Sequence, residues 1–143
     1  MIKKITIENL EDIVNLEKKH LNQTLGYDFL NQELTTNPYT YMIGYEKEKK
    51  LIGYLSARIF EENAEILNIV VEKEFQKQGI GTKLLQTLIN EVEKRKIKSI
   101  ILEVRASNHN AQKLYQALGF EKILTKPDYY PNEDAYIYLW KKD

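Results

Sequence analysis

The chain has 143 residues, of which 43% are hydrophobic, and its 21 lysines and arginines balance 21 aspartates and glutamates. This balance argues against a protein that binds nucleic acid or an anionic membrane through a large basic surface. The sequence contains no cysteine, which excludes disulfides, thiolate metal sites, iron–sulfur clusters and a cysteine nucleophile. We expect a single domain over residues 1–143, because one domain usually takes about 150 residues.

The N-terminal part of the chain predicts a short strand and two helices. Residues 2–7 form a β-like segment, and Asn9 then stands where a helix cap is expected. Residues that recur at helical spacing follow it, namely Leu10, Ile13, Val14, Glu17 and Leu21. A second, short helix is expected near Tyr27–Leu34 and ends before Asn37-Pro38.

The rest of the chain predicts a mixed α/β sheet. Three strand-like runs at 39–46, 51–60 and 64–71 predict an antiparallel meander. The elements that follow are expected as a helix from Gly79 to Arg95, a strand over Ser99–Val104, a helix from Asn108 to Gly119, and strands at 121–125 and 134–140. Because residues 64–104 form a strand, a helix and a strand, those two strands should be parallel with a right-handed crossover.

Membrane segments and metal sites are both disfavoured by the sequence. No run approaches the roughly 18 consecutive apolar residues of a membrane span, and the charged opening Met1–Glu8 lacks the apolar block of a signal peptide. We therefore expect a cytoplasmic protein. His20 and His109 lie far apart without a third ligand at metal spacing, so we expect both to be exposed and no metal to bind.

Two glycines mark the start of the helix that follows residue 79. A helix start exposes unpaired N–H groups and a partial positive charge, and Gly79 and Gly81 would let an anion approach the backbone closely. The pattern is not a P-loop, and the dinucleotide fingerprint fails because Leu84 replaces its third glycine. On spacing alone, a pyrophosphate site and a plain glycine-rich turn remain equally open.

Three further polar residues stand where either packing or chemistry would explain them. Glu103 ends an apolar strand, where a carboxylate needs either an ion pair, with Arg105 or Lys98, or a cavity. Tyr115 lies on the apolar face of its helix, and periodicity alone favours a core position for it. Asn108 is a suitable N-cap in its own right.

Several segments together resemble one enzyme family. The pattern Val71-x4-Gln76-x-x-Gly79-x-Gly81, followed by an amphipathic helix, resembles the acetyl-coenzyme A motif of the GCN5-related N-acetyltransferase (GNAT) family. The resemblance continues in order through Leu102–Asn108, Ala111, Leu114-Tyr115, Leu118–Phe120, Tyr129–Pro131 and Glu133–Ala135. The combination is similar to the RimI-like branch, whose members acetylate the N-terminal alanine of a small-subunit ribosomal protein.

The resemblance implies a fold and an activity. The fold would be a single α/β domain whose mainly antiparallel sheet holds a central parallel pair splayed around the coenzyme, with helices on both faces. The activity would be transfer of acetyl from acetyl-coenzyme A to an amine by direct attack. It would involve no metal and no enzyme nucleophile, in agreement with the missing cysteine.

The resemblance also implies roles for individual residues. Backbone groups of Ile69 and Val71 would bind the pantetheine arm. The pyrophosphate would lie on the loop made of Gln76, Lys77, Gln78, Gly79, Ile80, Gly81 and Thr82, and Asn108 would contact the coenzyme. Glu103 would be the general base and Tyr115 the general acid. Tyr129 and Tyr130 would line the slot for the first residues of the acceptor.

The acceptor stays open between several classes. Residues 20–30 lack the aromatic-Pro-Trp segment usual after the first helix in the RimI-like branch. We expect a protein N terminus as acceptor, with a lysine, a polyamine or another small amine as the alternative. A catalytically silent coenzyme-binding interaction domain is the alternative of another class. We expect a monomer or weak homodimer without nucleic acid or membrane partners.

Overall fold

The computed structural model describes residues 1–21 and 24–143, so Asn22 and Gln23 of the 20–30 segment lie outside the described residues. The strands are β1 (Ile2–Lys4), β2 (Thr40–Lys47), β3 (Lys50–Ile59), β4 (Asn63–Val71), β5 (Ser99–Arg105), β6 (Glu121–Tyr130) and β7 (Glu133–Lys141). The helices are α1 (Leu10–His20), α2 (Tyr27–Thr36), α3 (Ile80–Lys94) and α4 (His109–Ala117).

The seven strands form one sheet in the order β1-β2-β3-β4-β5-β7-β6. Among the strands of the described residues, β4 and β5 pair in parallel and the other neighbouring pairs are antiparallel. The predicted α/β fold with a mainly antiparallel sheet and one parallel pair is confirmed. The ladder between β4 and β5 joins Asn63–Ile66 to Ser99–Leu102 and then stops.

Helices cover both faces of this sheet, because strand side chains alternate between them. On one face α3 packs through Leu84, Leu85 and Leu88, and α4 packs through Tyr115. On the other face α1 and α2 bury Ile13 and Leu30 against β2, β3 and β4. None of the helices in the described ranges is long and apolar enough to cross a membrane.

Two predicted boundaries are wrong for physical reasons. Strand β1 ends at Lys4 instead of residue 7, because the Thr6 N–H donates to Asn9 Oδ1 at 3.0 Å and turns the chain into α1. The Asn9 side chain therefore serves this turn, although α1 does begin directly after it.

Strand β6 runs to Tyr130 instead of 125 and contains Pro127. Proline is tolerated there because β6 is an edge strand and its ladder with β7 is interrupted between Lys126 and Tyr130.

Candidate active site

The parallel pair of strands opens into a cleft at its carboxyl end. The Glu72 N–H donates to the Ile52 carbonyl of β3 at 2.7 Å. Because alternate residues of an antiparallel strand turn their backbone groups to the same side, those of Ile69 and Val71 face away from β3. They therefore point into the gap beyond the last pair of the β4–β5 ladder. The Val71 carbonyl accepts a hydrogen bond from Gln76 Nε2 at 3.0 Å.

The turn after β4 leads into α3 through a glycine in the left-handed region. Gly79 has a φ of 80°, and a Cβ built on it would meet no atom within 4 Å. Its backbone conformation, and not lack of space, is what requires glycine. At Gly81 a Cβ would lie 3.2 Å from Leu114 Cδ2, so α3 and α4 approach closely there.

A cavity of about 450 Å³ lies over this helix start. Its walls include the loop residues Gln76, Lys77, Gly79, Ile80, Gly81 and Thr82. The Ile80 side chain is buried in the core, so its contribution to the wall is chiefly its backbone. Gln78 is exposed outside the lining. Unpaired N–H groups of the first turn and the partial positive charge of the helix make this cavity suited to an anion.

A second cavity of about 520 Å³ adjoins the first, because Ile69, Asn108 and Ala111 line both. Glu103, Tyr115 and Tyr130 also line it. The proposed base, the proposed acid and one of the two acceptor tyrosines therefore meet in one space next to the glycine loop. Tyr129 lies outside this lining, with 54% of its surface exposed and its ring packed edge-on against Tyr130.

Both oxygens of the Glu103 carboxylate accept hydrogen bonds. Lys126 Nζ lies 3.1 Å from Oε1 and the Tyr130 hydroxyl lies 3.0 Å from Oε2. Of the two alternatives left open for Glu103, the structure shows both a cavity and an ion pair, but the partner is Lys126 of the β6–β7 hairpin and not Arg105 or Lys98. Arg105 instead binds Glu133, at 3.0 Å. Burial, followed by the hydrogen bond and charge of Glu103, raises the pKa of Tyr130 to about 12.

Tyr115 is both a core residue and part of the cavity wall. It is 5% exposed, and its ring packs between Phe120 and Tyr138 with centroid distances of 5.7 and 6.2 Å. Its hydroxyl forms no hydrogen bond with residues 1–21 or 24–143. Burial raises the pKa of the Tyr115 hydroxyl, so it is protonated at neutral pH.

The helix that carries Tyr115 is fixed at its N-terminus by two amide side chains. Asn108 Oδ1 accepts from the Ala111 N–H at 3.1 Å, as expected of an N-cap, while Asn108 also lines both cavities. Gln112 Nε2 donates to the Ala106 carbonyl at 3.0 Å and so ties α4 to the end of β5.

Sequence reasoning missed the wall formed by the end of α1. His20 and Leu21 line both cavities. The expectation that His20 is exposed is wrong, since its side chain is 12% exposed and Nε2 lies 2.7 Å from Glu72 Oε1. The hydrogen bond from Lys19, joined by that from His20, outweighs burial and lowers the pKa of Glu72.

Comparisons of the sequence with known proteins identify relatives that are acetyltransferases. A profile of the acetyltransferase (GNAT) family matches residues 7–120. The chain is 37% identical over 110 residues to the ribosomal protein bS18-alanine N-acetyltransferase of Escherichia coli (strain K12), which covers 77% of this chain and 67% of that protein. It is 34% identical over 129 residues to the protein of the same name from Haemophilus ducreyi, with 90% and 81% covered.

A solved structure shares the whole fold. The crystal structure of the ribosomal-protein-S18-alanine N-acetyltransferase from Escherichia coli superposes with a TM-score of 0.92 at 28% identity. The superposition covers 99% of this chain and 92% of that chain. The chain therefore belongs to the acetyltransferase (GNAT) family, which confirms the fold, the N-acetyltransferase activity and the acetyl-coenzyme A co-substrate expected from its motifs.

Proposed function

We propose that this enzyme, as one domain over residues 1–143, transfers acetyl from acetyl-coenzyme A to the N-terminal alanine of a small-subunit ribosomal protein. One observation carries the proposal. The cavity over the glycine-opened start of α3 adjoins the cavity lined by Glu103, Tyr115 and Tyr130, and the two share Ile69, Asn108 and Ala111. The relatives named as bS18-alanine N-acetyltransferases support the same acceptor.

The residues present fit an extended thioester carrier. Backbone N–H groups from Gly79 to Thr82, with Lys77 beside them, would bind its diphosphate at the helix start. The backbone groups of Ile69 and Val71 that face the gap would bind the pantetheine arm as an added strand between β4 and β5. Asn108 would contact the arm where the two cavities meet.

The chemical step is a direct attack of the amine on the thioester carbonyl. A C–N bond forms, the C–S bond breaks, and Glu103 accepts the proton that the amine loses. Tyr115 donates its proton to the leaving thiolate. The Val71 N–H would bind the oxyanion of the intermediate, an interaction worth about 3 kcal/mol in comparable enzymes.

Protonation chemistry favours a protein N terminus over lysine as acceptor. An α-amine with a pKa near 8 is about one-tenth neutral at pH 7, whereas a lysine is neutral at only a few parts in ten thousand. A pocket that binds a polyamine, which carries several positive charges, would be expected to contain several acidic residues. Among the described residues that line the cavity, Glu103 is the one acid, and Arg105 adds a positive charge.

A peptide panel tests the acceptor. The enzyme is incubated with acetyl-coenzyme A and an alanine-led peptide, the same peptide N-blocked with an internal lysine, or spermidine, and released thiol is measured. The alanine-led peptide should be acetylated fastest. Faster turnover of the blocked peptide or of spermidine would assign the enzyme to a different acceptor class.

The proposal extends to the enzyme's surroundings. A ribosomal-protein acceptor fits a cytoplasmic enzyme, and the balance of 21 basic and 21 acidic residues supports a protein without a nucleic-acid partner. We propose a monomer or weak homodimer, to be measured by sedimentation velocity across a range of concentrations.

A further inference from the structure

A fully buried carboxylate lies behind one wall of the second cavity. Glu17 of α1 has 0% of its surface exposed. No lysine, arginine or histidine within residues 1–21 and 24–143 forms an ion pair with it. Burying a carboxylate costs free energy unless hydrogen bonds replace those that water made to it. The groups that donate to Glu17 therefore indicate what this carboxylate does.

Four donors from the described residues bind this carboxylate. Its Oε2 accepts from the Tyr54 hydroxyl at 2.7 Å, from Asn68 Nδ2 at 2.9 Å and from the Leu25 N–H at 3.2 Å. Its Oε1 accepts from the Gly26 N–H at 3.2 Å. Glu17 therefore joins α1 to β3, to β4 and to the backbone segment that starts α2, where the helix dipole also favours a negative charge.

Leu25 and Asn68, which Glu17 binds, and the neighbouring Thr24 border one of the two cavities and not the other. Thr24, Leu25 and Asn68 line the cavity that contains Glu103 and Tyr130. None of these three lines the cavity over the glycine loop. A change that displaces Thr24, Leu25 or Asn68 should therefore alter the space for the acceptor and leave the diphosphate site over the glycine loop unchanged.

We infer that Glu17 is a positioning residue for the acceptor: its carboxylate holds the Thr24–Gly26 segment against Asn68, and this sets the width of the slot for the incoming N terminus. The inference rests on the proposed function, since it assigns the wall of that same site. It adds a residue that touches neither substrate and acts through the backbone it binds.

Glu17→Gln is the sharpest variant because it keeps the shape of the side chain. An amide offers one acceptor oxygen where the carboxylate offers two, and its NH2 group would oppose either the Gly26 N–H or the three donors on the other side. Tyr54→Phe is the matched control. It removes a donor from the same carboxylate, but Tyr54 belongs to β3, is 0% exposed and lines neither cavity.

The experiment measures KM for the acceptor and for acetyl-coenzyme A in the wild type, Glu17→Gln and Tyr54→Phe. Losing one charged hydrogen bond should raise the acceptor KM of Glu17→Gln about tenfold, with kcat and the acetyl-coenzyme A KM within about twofold. Tyr54→Phe should lower stability and leave the acceptor KM within about twofold. Equal rises in both KM values, or an unchanged acceptor KM, would overturn the inference.

A second readout is independent of turnover. Amide hydrogen exchange at Leu25 and Gly26 should accelerate about tenfold or more in Glu17→Gln but not in Tyr54→Phe, while coenzyme A binding by calorimetry stays constant. Unchanged exchange in Glu17→Gln would also overturn the inference. If the alanine-led peptide is not acetylated, the proposed acceptor is wrong, and the KM comparison is made with the panel member that is turned over.

Discussion

Glu103 and Tyr115 border the same cavity but are held there in opposite ways. The carboxylate of Glu103 is oriented by two donors from the β6–β7 hairpin, Lys126 and Tyr130. The hydroxyl of Tyr115 forms no hydrogen bond within the described ranges, and its ring is oriented by packing alone. A substitution of Glu103 removes a hydrogen-bonded carboxylate, whereas Tyr115→Phe removes a hydroxyl that only packing orients. The roles of the two residues can therefore be tested separately.

Glu103→Gln should lower kcat by about 10²- to 10⁴-fold, because the amide cannot take the proton of the attacking amine. Coenzyme A affinity, measured by calorimetry, should stay constant since Glu103 lies outside the glycine-loop cavity. Glu121→Gln, an exposed carboxylate on β6, is the control and should change neither quantity. A parallel loss of coenzyme affinity in Glu103→Gln would contradict the base assignment.

Tyr115→Phe should lower kcat by about 10²-fold or more through loss of the general acid. It should change the free energy of unfolding by less than about 1 kcal/mol, because no hydrogen bond to a described residue is lost. Tyr138→Phe is the matched control: its hydroxyl bonds Gln112 and Gln116, so stability should fall more than activity. Urea unfolding and thiol release measure the two effects, and an unchanged kcat in Tyr115→Phe would reject the acid.

At the scale of elements, a partly buried ion pair joins α2 to the sheet. Arg58 of β3 donates to both oxygens of Glu33 through Nε at 2.8 Å and Nη2 at 3.0 Å, and Asn37 donates at 2.8 Å. Burial alone would raise the pKa of Glu33, but these hydrogen bonds and the charge of Arg58 outweigh it and lower that pKa. The pair therefore stabilises the fold in its ionised form.

The Glu33 pair should make stability depend on pH in the acid range. A folded-state pKa below the ordinary 4.5 contributes stability above that value, and the contribution is lost as the pH falls through the folded pKa. The difference in unfolding free energy between wild type and Glu33→Gln should therefore shrink from pH 6 toward about pH 3. Urea unfolding at several pH values measures it. A difference that does not change with pH would contradict the assignment. The control is Glu91→Gln, in an exposed pair with Arg95, whose unfolding free energy should differ from that of the wild type by almost nothing at any of these pH values.

Elements set by local chemistry were predictable, whereas long-range contacts were not. The start of α3 at Gly79 and the cap at Asn108 follow from adjacent residues, and both agree with the structure. The position of Glu17 on the apolar face of α1 indicates from the sequence that its carboxylate is buried. The sequence does not indicate its partners, because they come from β3 and β4. Nothing local places Lys126 on Glu103, since the register of the β6–β7 hairpin decides that contact.

At the scale of the molecule, the cleft divides the sheet through its middle. The β4–β5 ladder ends at Ile66 and Leu102, so beyond that point the two halves are joined mainly through packing. A ligand that bonds both edges of the gap should hold the halves together. Because it binds only the folded state, it should also raise the unfolding temperature.

Coenzyme A at about one hundred times its Kd should stabilise the fold by about 2.7 kcal/mol, which corresponds to a Tm rise of roughly 5–10 °C for a chain of this size. Gly79→Ala should lose most of that rise. Gly26→Ala is the matched control, because Gly26 has a φ of 90° and equally open surroundings but lies outside the glycine loop. Scanning calorimetry with and without coenzyme A measures both, and an equal ligand-induced rise in the two variants would contradict the location of the diphosphate.

The proline in β6 affects how whole molecules meet. Ile123 and Leu124 on that outermost strand are 51% and 54% exposed, a composition that invites a strand from a neighbouring molecule to extend the sheet. Pro127 lacks the N–H that such a ladder needs, and Lys122 and Lys126 add charge beside it. This rim therefore resists self-assembly into larger sheets, and the hairpin that carries Tyr130 remains accessible to an incoming chain end.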